Sequence, residues 1–249
     1  MPKLPSGRPR GRRLLTAMLE SGFLDEIFIS IQGEGIFCGA RQVFIRFALC
    51  NLKCAYCDTA ASRELKDSFF AFQKKKLRNP VVVSEIIKQV KACRGKVHSV
   101  SLTGGEPLVQ GAFAVSLARA LKRSGFKVYL ETNGTLEKAL KKILPYTDHV
   151  AMDIKLPSTA KVNGLWKKHA GFLKAAGKKA FVKIVVGDGF SVPELRKALR
   201  LCKNIKTVIQ PRFGADIPGL LKKIEKSGVL DTASDIRFVP QIHRFMGIK

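Results

Sequence analysis

The chain has 249 residues, and 46% of them are hydrophobic. This length suits one α/β domain with a sizeable core, and no apolar run is long enough to span a membrane. The formal net charge of +26, from 45 basic and 19 acidic residues, is unusually high. Because the basic residues are dispersed along the chain, we interpret the charge as solvated surface. A nucleic-acid-binding protein with a structural metal stays open as an alternative.

Residues 1–22 contain three prolines and several arginines, and the first acidic residue of the chain is Glu20. This composition predicts a flexible basic N-terminal extension, followed by one domain over residues 23–249. An Arg-rich, acid-poor start is also typical of an organelle transit peptide, which is the alternative interpretation.

The rest of the chain predicts strands that alternate with helices. Short β-type runs occupy residues 27–29 and 43–47, residues 60–80 form an irregular polar insertion, and a helix begins near Ser84. The later strands are expected at 98–102, 127–130, 149–152, 181–186, 207–209 and 236–239, and the helices at 112–124, 136–144, 162–176, 193–202 and 218–227. Repeated strand–helix units predict an α/β fold, an open, partial parallel β/α barrel of about six strands.

Three cysteines follow the strand at residues 43–47: Cys50, Cys54 and Cys57. Three thiolates on one short loop suit three corners of an iron–sulfur cluster, which normally has four cysteine ligands. One iron would then stay open to a ligand. Incidental cysteines, or part of a structural zinc site, are the alternatives, although zinc needs a fourth ligand at short spacing. The remaining cysteines, Cys38, Cys93 and Cys202, are interpreted as small apolar residues.

Polar residues and glycines follow nearly every predicted strand, where parallel α/β folds gather functional groups. Such residues also suit ordinary turns. Gly104 and Gly105 would let a ligand approach the backbone. A ligand that chelates an open iron through an amine and a carboxylate, such as S-adenosylmethionine (SAM), fits this arrangement. Glu131, Ser158 and Gln210 offer donors and acceptors for its ribose and adenine, but the pattern alone does not select SAM over other ligands.

The cysteine spacing, with Tyr56 before the last cysteine, and the glycine-rich motif resemble the radical SAM superfamily. Further motifs make the chain similar to the 7-carboxy-7-deazaguanine synthase family over residues 24–249. These motifs are Ser30-Ile-Gln-Gly-Glu-Gly35, Phe44-Ile-Arg46, Cys50-Asn-Leu-Lys-Cys-Ala-Tyr-Cys-Asp-Thr59, Thr103-Gly-Gly-Glu-Pro107, Glu131-Thr-Asn-Gly134, Met152-Asp-Ile-Lys155, Gln210-Pro211 and Val239-Pro-Gln-Ile-His243. Leu49 departs from the family's usual glycine, and Tyr56 replaces a frequent tryptophan.

The resemblance implies a radical SAM partial barrel and a role for each matching residue. Cys50, Cys54 and Cys57 would bind a [4Fe-4S] cluster that generates the radical, and Thr59 would bind Mg²⁺. The residues implied to bind SAM are Gly105, Glu131, Asn133, Ser158 and Gln210. Those implied to bind a pterin are Ile31, Gln32, Gly33, Arg46, Thr103 and His243. A guanidinium such as that of Arg46 pairs well with a carboxylate.

The resemblance also implies an activity: conversion of 6-carboxy-5,6,7,8-tetrahydropterin to 7-carboxy-7-deazaguanine by radical ring contraction with loss of ammonia, in 7-deazapurine (queuosine) biosynthesis. The family also suggests a homodimer, and an iron–sulfur enzyme needs an electron donor such as a flavodoxin- or ferredoxin-like protein. A solvent-open cluster needs a reducing compartment, so we expect a cytoplasmic protein. The absence of a long apolar run argues against membrane attachment, and the dispersed charge argues against direct nucleic-acid binding. The rival interpretation within the superfamily is a glycyl-radical activase. It would share the cysteine loop, but it has no need of the loop at Gln32.

Overall fold

The computed structural model describes residues 20–93, 95–232 and 235–248. Most of the predicted N-terminal extension therefore lies outside the described residues. Of its last residues, Ser21–Gly22 form a strand that pairs antiparallel with Val81–Val82. These two residues are therefore part of the folded unit.

Along the described residues, six strands precede the first α-helix, and each later strand is followed by one or two α-helices. The strands are β1 (Ser21–Gly22), β2 (Leu24–Ile31), β3 (Arg41–Phe47), β4 (Ser68–Ala71), β5 (Lys75–Arg78), β6 (Val81–Val82), β7 (Ser99–Gly104), β8 (Val128–Thr132), β9 (His149–Ile154), β10 (Ala180–Val186), β11 (Thr207–Pro211) and β12 (Ile236–Phe238). The helices are α1 (Val83–Lys91), α2 (Gly111–Arg123), α3 (Glu137–Ile143), α4 (Pro157–Ala160), α5 (Trp166–Ala176), α6 (Val192–Leu201), α7 (Ile217–Lys226) and α8 (Ile242–Phe245).

Ten of these strands form one sheet in the order β12-β11-β10-β9-β8-β7-β3-β2-β4-β5. From β3 to β12 every neighbouring pair is parallel. Strand β2 is antiparallel to β3, and the β4–β5 hairpin extends the sheet beyond it. The sheet is open, with β12 and β5 at its edges, so the predicted partial barrel is confirmed. The parallel part is one strand longer than expected.

The interpretation of residues 60–80 as an irregular insertion was wrong. Strands β4 and β5 form a hairpin there, and Phe69 and Ala71 are buried while Phe70 between them is exposed. This period-two pattern is short, and the lysine run at 74–76 obscures it in the sequence. The predicted helix at 162–176 begins later, at Trp166, because the chain first completes the separate short helix α4.

The core forms where the apolar faces of the helices meet the sheet. Helix α2 shows the pattern: Phe113, Leu117 and Leu121 lie four residues apart and are at most 3% exposed. Burial of such a side chain contributes about 1.5–3 kcal/mol. At the carboxyl ends of the parallel strands the buried residues become polar, as at Thr103, Asn133 and Gln210. This change of polarity marks the candidate site.

Candidate active site

One cavity lies at the carboxyl ends of the parallel strands, and nearly all the residues implicated by the sequence line it. Those residues are Ile31, Gln32, Gly33, Arg46, Cys50, Cys54, Cys57, Thr59, Thr103, Gly105, Glu131, Asn133, Gln210 and His243. They come from segments far apart in the chain. The sheet order explains the convergence, because parallel strands end at the same edge.

Ser158 is the exception, since it is not among the residues that line the cavity. Its hydroxyl accepts a hydrogen bond from the backbone N–H of Ser191 at 3.0 Å, and its own N–H donates to Glu194 at 2.8 Å. These contacts join α4 to the start of α6. The contact of Ser158 with SAM stays a prediction.

The cysteine loop follows β3 directly. Cys50, Cys54 and Cys57 are free, partly exposed thiols that face the same cavity. Burial raises the pKa of the Cys50 and Cys54 thiols, so both retain their protons until a metal displaces them. Among the described residues, no other cysteine lines the cavity. The donor set therefore fits a cluster held by three thiolates, with one iron left for another ligand.

Backbone contacts fix the start of this loop against the glycine-rich turn after β7. Leu49 has φ of 72°, the left-handed conformation that favours glycine. The Leu49 carbonyl accepts from the N–H of Glu106 at 2.8 Å. A Cβ atom on Gly105 would lie 2.0 Å from that same oxygen. The approach of the two loops therefore requires glycine at position 105.

Glu106 ties the glycine-rich turn to the end of β8. Its fully buried carboxylate accepts from the backbone N–H groups of Asn133 (2.7 Å) and Leu108 (3.1 Å), and from the Thr132 hydroxyl (3.0 Å). Burial raises the pKa of Glu106 to about 7, although these hydrogen bonds oppose the shift. The donors to this carboxylate are all uncharged.

Asn133 continues this network to the cysteine loop. Its Nδ2 donates to Asn51 Oδ1 at 2.9 Å, and its Oδ1 accepts from the Thr135 hydroxyl at 2.6 Å. Asn51 Nδ2 donates to the same hydroxyl oxygen at 2.9 Å. This closed ring of three side chains braces the cysteine loop.

A cluster of charged side chains occupies another part of the cavity wall. Lys183 Nζ lies 2.6 Å from Glu34 Oε2, and Lys155 Nζ lies 2.8 Å from Asp153 Oδ2. Burial by itself raises the pKa of Glu34, but the charge of Lys183 and the hydrogen bonds lower it to about 2. Glu34 is therefore an anion at neutral pH.

The loop after β2 packs against the C-terminal segment. The N–H of Ile242 donates to the Gly33 carbonyl at 3.0 Å. A Cβ atom on Gly33 would lie 2.1 Å from His243 Nδ1, so His243 occupies space that only glycine leaves open. Gln32 is buried, and its amide donates to Gln42 and Glu131, each at 3.1 Å. The loop is thus held in place by protein groups on both sides.

The polar groups of this wall include hydrogen-bond donors and side chains that could hold a metal ion. Arg46 Nε donates to Glu26 at 2.9 Å, and the guanidinium lies 5.4 Å from the centre of the Phe28 ring.

Glu34, Asp58 and His243 each place one ligand atom within 4.8 Å of the others. Carboxylates and an imidazole can hold a divalent cation. Thr59, the predicted magnesium ligand, directly follows Asp58 and lines the same cavity.

The cavity wall also contains charged and polar residues for which the sequence predicted no role. They are Glu34, Asp58, Asp153, Lys155, Lys183, Arg212 and Gln241. Five of them lie within the motifs that resemble those of the family, and Lys183 and Arg212 lie outside these motifs. The sequence around Lys183 could have indicated its importance, because Lys183 is the one charged residue in the otherwise apolar strand β10. A lysine in a buried strand needs paired carboxylates.

Comparison with known proteins agrees with this geometry. The model of the radical SAM superfamily matches residues 44–202. The crystal structure of QueE from Escherichia coli superposes with a TM-score of 0.64 and 21% sequence identity, covering 92% of this chain and 98% of that one. This likeness shows the fold. The fold and the three-cysteine loop define the class: the chain is a radical SAM enzyme.

Two curated relatives narrow the class to a family. The 7-carboxy-7-deazaguanine synthase of Geobacter sulfurreducens is 36% identical over 90% of this chain and 96% of its own. That of Archaeoglobus fulgidus is 37% identical over 91% of this chain and 98% of its own. The chain belongs to the 7-carboxy-7-deazaguanine synthase family.

Proposed function

We propose that this chain converts 6-carboxy-5,6,7,8-tetrahydropterin to 7-carboxy-7-deazaguanine with release of ammonia, for 7-deazapurines such as queuosine. The observation that carries the proposal is that the three thiols and the Gln32–Glu34 loop line one cavity. A glycyl-radical activase would need room for a polypeptide. Here the C-terminal segment packs on that loop through Ile242 and His243 instead.

The cofactor side of the cavity follows from the cysteine loop. Cys50, Cys54 and Cys57 would hold a [4Fe-4S] cluster, which when bound would supply the electron for cleavage of SAM to methionine and a 5′-deoxyadenosyl radical, the species proposed to take hydrogen from C6 of the pterin. Gly105 leaves the backbone open to the amino acid part of SAM. Glu131, Asn133 and Gln210 line the same cavity and complete the proposed SAM site. Ser158 remains an additional predicted contact.

The substrate side follows from the opposite set of predicted residues. Arg46 is suited to the pterin carboxylate, because a guanidinium pairs with a carboxylate through two donors. Ile31, Gly33, Thr103 and His243 would surround the ring. Gln32 has its amide donors engaged by Gln42 and Glu131, so it would contact the pterin through its remaining surface and fix the loop.

Mg²⁺ is proposed at the end of the cysteine stretch, with Thr59 as a protein ligand. Hard cations prefer oxygen ligands, and Mg²⁺ often keeps few from the protein. Asp58 and Glu34, whose carboxylate oxygens lie within 4.8 Å of one another, offer further oxygen ligands next to Thr59.

We also propose a cellular location, an oligomeric state and an electron donor for the enzyme. No helix among the described residues has the length and apolarity needed to cross a membrane. We propose a cytoplasmic homodimer that accepts electrons from a flavodoxin- or ferredoxin-like protein. We propose that the residues before Ser21 are a basic extension of a catalytic domain that begins with β1 rather than at residue 23. Direct binding of nucleic acid is not part of the proposal.

An anaerobic assay tests the function. The purified protein is reconstituted with iron and sulfide, then given SAM, a reductant and the carboxylated pterin. We expect 7-carboxy-7-deazaguanine, identified by its mass and ultraviolet absorbance. SAM cleavage without any deazaguanine would contradict the proposed substrate while leaving the class intact. A tRNA gel shift with a steep salt dependence, and no iron in the protein, would favour the nucleic-acid alternative.

A further inference from the structure

Lys183 lies within β10, between apolar residues that are themselves buried. Its side chain is only 4% exposed. Besides the 2.6 Å contact with Glu34, its Nζ lies 3.4 Å from Asp153 Oδ1 and 3.5 Å from Glu131 Oε2. An ammonium group buried this deeply is stable only when carboxylates compensate its charge.

Each of these three carboxylates uses its other oxygen for a second contact. The second partners are Gln241 Nε2 for Glu34 (2.8 Å), Gln32 Nε2 for Glu131 (3.1 Å) and Lys155 Nζ for Asp153 (2.8 Å). Lys183 is thus connected through Glu34 to the C-terminal segment, through Glu131 to the loop after β2, and through Asp153 to Lys155 at the end of β9. No other lysine of the described residues contacts so many carboxylates.

The charge on Lys183 is secure. Burial by itself lowers the pKa of its ammonium group, but the carboxylates of Asp153, Glu34 and Glu131 raise it well above the usual range. The cluster holds three carboxylates and two ammonium groups, so loss of Lys183 would leave two carboxylates uncompensated. Those carboxylates would repel one another or take up protons.

We propose that Lys183 is a positioning residue that sets Glu34 against Glu131, and so orients the proposed pterin loop toward the proposed SAM site. This inference rests on the proposed function, because that function places Glu34 in the pterin loop and Glu131 in the SAM site. Lys183 acts through Glu34 and Glu131, since its Nζ is already committed to them. Misplacement of a positioned group by about 1 Å can cost about a hundredfold in rate.

The test replaces Lys183 with methionine, which keeps the length of the side chain and removes its charge. The matched control is Lys122→Met, which removes a lysine paired with Asp148 on the surface. We expect Lys183→Met to keep the absorbance of the cluster and to raise KM for the carboxylated pterin about tenfold or more. Abortive 5′-deoxyadenosine per deazaguanine should also rise. Lys122→Met should match the wild type in all three readouts.

Lys183→Arg provides a second variant in case Lys183→Met does not fold. It keeps the charge but replaces a point charge with a planar fork. We expect a KM between those of the wild type and Lys183→Met. A wild-type KM and a wild-type ratio of 5′-deoxyadenosine to deazaguanine, in either folded variant, would overturn the proposal.

A double-mutant cycle with Glu34→Gln separates this inference from the proposed function. Because Lys183 and Glu34 act on one another, the shift in melting temperature of the double variant should be smaller than the sum of the single shifts. If the wild type forms no deazaguanine, the proposed function fails, and this cycle alone decides. Additive shifts would then overturn the positioning role.

Discussion

Two carboxylates near the cavity, Glu34 in its wall and Glu106 buried next to Gly105, are held by different chemistry. Glu106 accepts hydrogen bonds from uncharged donors, and they join the glycine-rich turn to the brace around the cysteine loop. Glu34 instead faces the ammonium group of Lys183. The cofactor side thus depends on close backbone packing, and the substrate side depends on charge pairing. Substitutions that change shape should affect the first, and those that change charge should affect the second.

The largest effect is expected from removal of a cluster ligand. Cys54→Ala should lose the brown absorbance of the reconstituted protein and all deazaguanine formation, because two thiolates cannot hold the cluster in place. The matched control is Cys202→Ala, since Cys202 is buried in the core away from the cavity. Equal loss of absorbance in both variants would refute the ligand assignment.

The packing of the cofactor side can be tested with a single methyl group. Gly105→Ala would place Cβ 2.0 Å from the Leu49 carbonyl oxygen, so the cysteine loop must move. A displacement of this kind should lower kcat by about a hundredfold. Gly189→Ala is the control, because a Cβ there meets nothing within 4 Å. Steady-state kinetics of the two variants decide, and equal activity would show that the close approach is dispensable.

The pH dependence of stability should distinguish the two carboxylates. Burial raises the pKa of Glu106 from 4.5 to about 7, so its contribution to the free energy of unfolding is complete below pH 4.5 and is lost as pH rises through about 7. The lost contribution is about 3 kcal/mol. The lowered pKa of Glu34 has the opposite consequence: its contribution is present above pH 4.5 and is lost as pH falls through about 2.

Denaturant unfolding of the wild type, Glu106→Gln and Glu34→Gln measures this difference from about pH 5 to about pH 8. The stability of the wild type relative to Glu106→Gln should fall with rising pH, while its stability relative to Glu34→Gln should stay level. Parallel curves for the two variants would contradict the distinction.

The smallest effect is expected in the ring of three side chains. Asn51→Ala removes one donor and one acceptor, and Asn133 and Thr135 keep their mutual hydrogen bond. The free energy of unfolding should fall by about 1 kcal/mol. Thr147→Val, which removes a buried hydroxyl bonded at 3.1 Å to Ile143, is a control of similar cost far from the cysteine loop. Asn51→Ala alone should also slow turnover.

The fold and the position of the cavity could be predicted from the sequence, because they depend on residue types and their spacing. Strand and helix alternation predicted the open barrel, and the three cysteines with the glycine-rich turn indicated where the cavity lies. Lys183 and Glu34 were not recognised, because their pairing joins residues that are 149 positions apart. Gln32 and Asn133 were predicted as ligand contacts, and the hydrogen bonds of their amides to neighbouring side chains were not predicted. Such hydrogen bonds depend on side-chain placement, which no local pattern encodes.

We propose that the cysteine loop and the Gln32–Glu34 loop act on one substrate in one cavity. Turnover of 6-carboxytetrahydropterin carrying deuterium at C6 tests it most directly. Because the family resemblance implies that SAM is regenerated in each turnover, we expect deuterium in the 5′-deoxyadenosyl part of the recovered SAM, together with 7-carboxy-7-deazaguanine. Two results from a protein that holds its cluster would contradict this common site: recovery of SAM without deuterium, or cleavage of SAM to 5′-deoxyadenosine that carries no deuterium.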